Sequence, residues 1–318
     1  MNHKNLYIAL IIIAVILVIG LFCFLLIPPK NFPVGKIIKI TEGSSLINIS
    51  KQFKDESIIK SPVIFQSIII LIGGDKKVDA GGYIFDKKLS IFEVVYRVVK
   101  GDYHLPSIKI VLPEGIYLEE IAEILDKNLP EVTKEEFLFL TRGEEGFLFP
   151  DTYFFSPMTT AKEVVKTLKD NFSNKVADLE IDISKAGKNL EEIITMASLI
   201  EKESNSNDYE EKRIVSGILW KRIEKNMLLQ VDAVFLFLIG KGSAKLTLSD
   251  LEIDSPYNTY KYLGLPPGPI GNPGLLSIKA SLYPAESPYF YYLHDKDGNI
   301  HYAENLDEHN NNKQKYLK

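Results

Sequence analysis

The chain has 318 residues, enough for a membrane anchor together with one large or two small domains. Its 46% hydrophobic and 25% charged residues are ordinary values for a globular protein. A formal net charge of −5 provides no basic field, so we expect no nucleic-acid partner. The one cysteine, Cys23, excludes an intrachain disulfide and says little about the compartment.

The N-terminal segment predicts a membrane anchor. The run LYIALIIIAVILVIGLFCFLLI over 6–27 carries no charge, and as a helix it would be roughly 33 Å long, against a hydrocarbon core of about 30 Å. The run ends at Ile27 and is followed by PPK. A signal peptidase would need small side chains at this position. We therefore predict an uncleaved single transmembrane helix over 6–27 after a short tail over 1–5. A buried core helix is the alternative.

Two segments after this run share one pattern. The sequence ITEGSSLINIS over 40–50 follows a strand-like stretch and offers Ser44 or Ser45 as a helix cap. The sequence VLPEGIYLEEIA over 111–122 again gives a strand, a turn and a short helix. We interpret the two as a weak internal repeat that resembles LysM-like modules, which bind N-acetylglucosamine polymers. A generic α+β domain without a sugar site is the alternative.

The order of predicted elements indicates an α+β fold. We expect a LysM-like α+β subdomain over 33–105 and a mixed α+β catalytic domain over 106–318. The aromatic stretch GEEGFLFPDTYFF over 143–155 suits either a buried plug between domains or a wall on which sugar rings stack. The residues alone favour neither.

The stretch ITMASLIEKES over 194–204 carries the functional prediction. Its apolar spacing predicts a helix over 190–204. At about 100° per residue, Glu201 falls between Leu190 and Ile194 and is aimed at the core, whereas Glu203 falls at the edge of the apolar face. A carboxylate buried without partners tends to take up a proton, as a general acid requires. A glutamate tipped to water, or paired with a lysine, is the alternative.

The segments that follow carry further polar candidates. The sequence DYEEKRIVSGILWKRIEKN predicts a helix capped by Asp208 that folds back on the preceding one. The sequence MLLQVDAVFLFLIG then carries Gln230 and Asp232. A long loop dense in Pro, Gly, Asn and Tyr, SPYNTYKYLGLPPGPIGNPGLLSIKASLYP, contains Asn258 and Tyr260. Loops of this length are usually functional.

At these residues the chain resembles the endolytic murein transglycosylase, or YceG-like, family. The resemblance rests on ASLIEKES, LLQVDAVF, FPDTYFF and the SPYNTYKYLGLPPGPIGNPGLLSIKASLYP loop, together with the N-terminal anchor. It extends from the anchor to AENLDEHNNNK. Where the family has Thr and Pro beside the aspartate, this chain has Val231 and Ala233.

The resemblance implies a lytic transglycosylase that cleaves the β-1,4 bond between N-acetylmuramic acid and N-acetylglucosamine and leaves a 1,6-anhydro end. The family's catalytic glutamate falls on Glu201, which would act first as acid and then as base. Glu203 and Asp232 are possible helpers in this scheme. Candidate hydrogen-bond partners for sugars are Gln230, Asn258 and Tyr260, with loop scaffolding as the alternative role.

No cofactor or metal is expected. His294, His301 and His309 lack the spacing of metal-ligand pairs. The sequence HDKDGNIHY resembles the start of a calcium loop, but Leu306 stands where the loop needs glutamate. Asp297-Gly298 between two strand-like stretches predicts a β-hairpin turn instead.

The expected partners and location follow from the resemblance. Peptidoglycan glycan strands are the substrate, the N-terminal helix would hold the chain in the cell membrane, and peptidoglycan synthases are implied as neighbours. Lysines flank 6–27 on both sides and leave the orientation ambiguous by charge, but the substrate places the catalytic domain on the extracytoplasmic side. Two other classes stay open, a non-catalytic glycan-binding scaffold and a hydrolase that uses Glu201, Asp232 and water.

Overall fold

The computed structural model describes residues 3–41, 43–73, 78–204, 208–242 and 245–317. The chain divides into two compact units. The first unit comprises Met1–Ser107 with Ser156–Met158, and the second comprises Ile108–Phe155 with Thr159–Lys318. This division into units is structural. The functions predicted for the domains over 33–105 and 106–318 therefore remain predictions.

The first unit is built from short helices on a two-stranded sheet. The elements in chain order are α1 (His3–Leu26), β1 (Ile37–Ile40), α2 (Leu46–Asp55), α3 (Pro62–Leu71), β2 (Gly81–Ile84) and α4 (Ile91–Lys100). Strands β1 and β2 are antiparallel, with Ile38 opposite Tyr83. Both of these side chains are fully buried in an aliphatic and aromatic core. Ser45 caps α2 through its side chain, as the sequence predicts.

The N-terminal helix α1 coincides with the predicted anchor, but the structure does not support a membrane span. Side chains of α1 are described at position 7 and over 10–26, where most are apolar and exposed. Among all described residues, no helix has both the length and the apolar character needed to cross a membrane. The transmembrane helix predicted over 6–27 is therefore not supported.

The second unit is mainly helical and contains two further strand pairs. Its first elements are β3 (Ile108–Val111), α5 (Leu118–Asn128), α6 (Lys134–Leu140), β4 (Thr152–Phe155), α7 (Ala161–Val176) and α8 (Glu180–Lys185). The later elements are α9 (Leu190–Glu203), α10 (Tyr209–Glu224), α11 (Ala233–Ile239), α12 (Leu275–Leu282), β5 (Tyr291–His294), β6 (Ile300–Ala303) and α13 (Leu306–Tyr316).

The predicted internal repeat has a structural counterpart. Each unit contains a strand, two helices and a second strand that pairs antiparallel with the first, β1 with β2 and β3 with β4. In the second unit, Ile110 lies opposite Tyr153, and both are buried. The mixed α+β class is confirmed. The LysM-like sugar-binding identity of either copy is not shown by this topology.

Helix α9 is the central element of the second unit. Asn189 caps it, accepting from the Glu192 backbone N–H at 2.8 Å, while the Glu192 side chain accepts from the Asn189 N–H. Every residue over 193–200 is buried, which is possible because α9 packs against α10, α11 and α12. Ser198, a polar residue of this run, has a hydrogen-bond partner in a distant segment of the chain: its hydroxyl accepts from the Ile270 N–H at 3.0 Å.

The predicted hairpin is confirmed. Strands β5 and β6 pair antiparallel with His294 opposite Ile300, so that the turn contains Asp297 and Gly298. Gly298 has a φ of +83°, a conformation that glycine adopts without steric cost. The Asp295 carboxylate accepts from the Asn299 N–H at 2.9 Å and closes the turn.

Candidate active site

The two glutamates at the end of α9 have different surroundings. Residues two apart on a helix point about 200° apart, so Glu201 and Glu203 project from opposite sides of the last turn. Glu201 faces α10 and the start of α12, whereas Glu203 lines a cavity beside β5 and α13. These surroundings decide which chemistry each carboxyl can perform.

Glu201 is buried, as the helical wheel predicts, but it is not without partners. Its Oε1 accepts from the Lys212 ammonium at 3.0 Å, and its Oε2 accepts from the Gly274 N–H at 2.9 Å. The side chains of Glu201 and Lys212 are 9% and 1% exposed. Lys212 also donates to the Ser277 hydroxyl at 3.0 Å. Of the alternatives that the sequence left open for Glu201, the structure shows pairing with a lysine, which comes from α10.

Glu203 lies on the wall of a cavity of about 650 Å³. The cavity is polar and rich in tyrosine, which suits a ligand that presents both hydroxyl groups and C–H faces. Its lining residues are Lys202, Glu203, Arg222, Gln230, Asp232, Tyr260, Tyr291, Tyr292, Leu293, His294, Leu306, His309, Lys313 and Leu317.

The surroundings of Glu203 give it the properties of a general acid. Burial raises the pKa of the Glu203 carboxyl to about 7, and the nearby charge of Asp232 acts in the same direction. The Tyr292 hydroxyl donates to Oε2 at 2.9 Å, and together with the Ala233 N–H and Arg222 it opposes this rise in pKa. A carboxyl that titrates near 7 can both give and accept a proton at neutral pH.

Asp232 reaches the same cavity from the segment before α11. Its Oδ1 accepts a hydrogen bond from the Tyr260 hydroxyl. The two chain segments are joined through Thr259, whose carbonyl accepts from the Gln230 N–H at 3.1 Å and whose hydroxyl accepts from the Val231 N–H at 2.9 Å. The loop singled out in the sequence thus delivers Tyr260 to the aspartate.

Gln230 occupies an uncommon backbone conformation beside the cavity. Its φ is +51°, in the left-handed region that a residue with a long side chain rarely adopts. Such strain concentrates at functional sites. The residue is exposed and lines the cavity, so the sequence prediction of a sugar contact at Gln230 is compatible with its placement.

Asn258 does not join this cavity. It is fully buried, and its Nδ2 donates to the Leu251 and Ile253 carbonyls at 2.9 and 2.8 Å. Its Oδ1 accepts from the Tyr260 N–H at 2.9 Å. The structure does not bring Asn258 together with the other predicted sugar contacts, because every polar atom of its side chain is used to hold the loop.

Four predicted residues come together at the cavity, namely Glu203, Gln230, Asp232 and Tyr260. Sequence reasoning missed the wall made by β5 and α13. The run YFYYL over 289–293 predicted a strand. Nothing in the sequence pattern connected its aromatic residues to Glu203. Among the described residues, no group of three or more His, Cys, Asp or Glu side chains is arranged to hold a metal ion.

The comparisons with known proteins agree with this fold. Residues 38–315 match the YceG-like family, and the chain belongs to it. A Bacillus subtilis protein named endolytic murein transglycosylase is 31% identical over 307 residues, which cover 88% of this chain and 84% of that protein. A Streptococcus pneumoniae protein of the same name is 27% identical, over 86% of this chain and 57% of its own length.

A solved structure gives the same result. The crystal structure of a YceG-like protein from Listeria monocytogenes superposes with a TM-score of 0.59 at 30% identity, and the match covers 87% of this chain and 99% of that one. The predicted family is therefore confirmed. The predicted enzyme class, a lytic transglycosylase, is confirmed at the level of these named relatives.

The buried Glu201–Lys212 pair predicts a large stability effect. Replacing Lys212 with methionine leaves the Glu201 carboxylate buried without its counter-ion, so we expect the free energy of unfolding to fall by about 3–5 kcal/mol. Chemical denaturation of wild type and Lys212→Met measures this loss. The matched control is Lys166→Met, which breaks an exposed i,i+4 pair with Asp170 and should cost no more than about 0.5 kcal/mol. Equal stability of the two variants would contradict the structural role of Lys212.

Proposed function

We propose that this chain is an endolytic transglycosylase of peptidoglycan with Glu203 as its acid and base. The observation that carries the proposal is one carboxyl, with a pKa of about 7, on the wall of a polar, tyrosine-rich cavity. The substrate is the bond between C1 of N-acetylmuramic acid and O4 of N-acetylglucosamine within nascent glycan strands. The names of the relatives support this substrate class.

The reaction uses the Glu203 carboxyl twice. In the first step the protonated carboxyl donates its proton to O4 while the C1–O4 bond breaks and its electron pair goes to oxygen. The muramic C1 then carries oxocarbenium character. In the second step the muramic C6 hydroxyl oxygen bonds to C1, and its proton passes to the Glu203 carboxylate. The products are a strand that ends in 1,6-anhydromuramic acid and a free 4-hydroxyl, with no water consumed.

We assign this role to Glu203 instead of Glu201, the residue that the family resemblance implies. A general acid must reach the glycosidic oxygen within hydrogen-bond distance. Both oxygens of Glu201 already accept from Lys212 and Gly274, and Glu201 is not among the residues that line the cavity. Glu203 instead faces the cavity, and its carboxyl accepts from the side chain of Tyr292.

A water-dependent hydrolase is the second candidate, because the cavity holds a second carboxyl, Asp232. Hydrolysing glycosidases mostly use such a pair. The names of the relatives favour the transglycosylase, since there the C6 hydroxyl of the substrate replaces water. Gln230, Tyr260 and Tyr291 are the proposed sugar contacts.

Location and partners complete the proposal. The substrate lies outside the cytoplasm, so we place the catalytic unit on the extracytoplasmic side of the cell membrane, near peptidoglycan synthases. The uncharged run over 6–27 is consistent with attachment there, although the described structure contains no helix that could span a membrane. The strand–helix–helix–strand fold of the first unit is proposed as a LysM-like contact to the glycan. Protease accessibility of the unit over 108–318 in intact cells tests this placement, and complete protection would contradict it.

The product test separates the candidates. We expect the full chain, incubated with nascent peptidoglycan, to release fragments with anhydro ends, and Glu203→Gln to lower their yield by at least about 100-fold because the acid is lost. Mass spectrometry of the released fragments measures both. The control Glu224→Gln alters an exposed glutamate at the end of α10 and should retain full activity. Reducing ends would instead establish the hydrolase.

The pH dependence has a defined sign. Glu203 must be protonated in the first step, so turnover should decline as the pH rises through about 7. The Tyr292 hydroxyl favours the charged carboxylate by donating to it. Tyr292→Phe therefore should raise the pKa of Glu203 and move the alkaline limb of the profile to higher pH. An alkaline limb that moves to lower pH in Tyr292→Phe would contradict this assignment.

A further inference from the structure

We propose that Asp232, held in place by Tyr260, is a positioning residue that keeps the catalytic proton on Glu203 and returns it there after bond cleavage. The inference rests on the proposed function, in which Glu203 is the acid and base. It starts from the geometry of the cavity, where two carboxyls face one space.

The backbone around Asp232 is held from the opposite loop. The Thr259 carbonyl and hydroxyl accept from the N–H groups of Gln230 and Val231, and the next residue along, Tyr260, donates to Asp232. The ring of Tyr260 packs against Phe235 of α11 with centroids 5.9 Å apart. Asp232 therefore cannot swing away from the cavity without breaking contacts to the loop.

Two cationic side chains that line the cavity with Glu203 make other contacts. Arg222 donates to the Phe290 and Leu229 carbonyls at 2.7 and 2.6 Å. Lys202 lies over the ring of Tyr117, 3.8 Å from its centroid. The titratable and charged groups that line the cavity with Glu203 are Lys202 of α9, Arg222 of α10, Asp232 before α11, Tyr260 of the loop, Tyr291, Tyr292 and His294 of β5, and His309 and Lys313 of α13.

Among these groups, Asp232 is the anion that acts against ionisation of Glu203. Its charge raises the pKa of Glu203, while Arg222 and the Tyr292 hydroxyl lower it. Burial pushes His309 to a pKa of about 4, so His309 is neutral near pH 7 and does not compensate. Asp232 and Arg222 thus act in opposite directions on the pKa of Glu203.

The repulsion serves both steps of the reaction. Before cleavage it favours the protonated form of Glu203, which gives its proton to O4. After cleavage both carboxyls line the cavity, and the charge of Asp232 increases the tendency of Glu203 to take the proton of the C6 hydroxyl as that oxygen bonds to C1.

The test measures Glu203 directly and through turnover. The full chain is labelled with ¹³C at the glutamate side-chain carboxyl, Glu203 is assigned by its loss in Glu203→Gln, and its titration is followed in wild type and Asp232→Asn. The Asp232→Asn substitution keeps an amide oxygen that can accept from Tyr260, so the fold should persist. The matched control is Asp254→Asn, which removes a similar aspartate that pairs with Tyr262 and Lys261 on the surface.

We expect Glu203 to titrate at lower pH in Asp232→Asn and anhydro product at pH 7 to fall roughly fivefold, because lowering a pKa of about 7 by about one unit reduces the protonated fraction by that factor. Asp232→Glu should restore much of both, and Asp254→Asn should change neither. A second variant, Tyr260→Phe, removes the hydrogen bond to Asp232 and should lower turnover. An unchanged Glu203 titration in Asp232→Asn overturns the inference. A shifted titration in a protein that releases no anhydro ends would overturn the proposed function and leave the pairing intact.

Discussion

The buried ion pair between Glu201 and Lys212 is the interaction on which the site depends. It joins α9 to α10, and the Gly274 N–H on the same carboxylate joins both to the start of α12. A Cβ at Gly274 would lie 2.0 Å from the Glu114 carboxyl, so a side chain there would have to displace the end of Glu114. With three helices fixed in this way, the last turn of α9 holds Glu203 towards the cavity on its other side. A glutamate paired with a lysine and a glutamate with a raised pKa thus stand two residues apart.

The sequence predicted correctly that Glu201 faces the interior, and it left open whether a lysine pairs with it. Helical periodicity indicates which side of a helix faces the interior, and Glu201 lies there. Periodicity does not identify the partner of a buried side chain. The pairing of Glu201 with Lys212, eleven residues later in the chain, therefore could not be predicted from it. The same limit applies to Glu203, which the wheel places at the edge of the apolar face. Its raised pKa comes from burial and from Asp232, a residue that only the tertiary fold brings near.

Local signals were reliable where one short segment contains the whole cause. Ser45 and Asp208 cap their helices, and Asp297-Gly298 forms the hairpin turn. Loop function was harder to predict, since Asn258 and Tyr260 are two residues apart in the same loop. Tyr260 reaches the cavity, while Asn258 donates its amide hydrogens to loop carbonyls. Composition cannot separate these roles, because both depend on which way the loop turns.

The central claim is that Glu203, rather than Glu201, transfers the proton. The most direct measurement is the rate of anhydro-end release per folded molecule for Glu201→Gln and Glu203→Gln, with the folded fraction of each determined by circular dichroism. The account predicts that folded Glu201→Gln retains a substantial share of wild-type turnover, since its loss acts on stability, whereas folded Glu203→Gln has almost none. Loss of turnover in folded Glu201→Gln with activity retained in Glu203→Gln would contradict it.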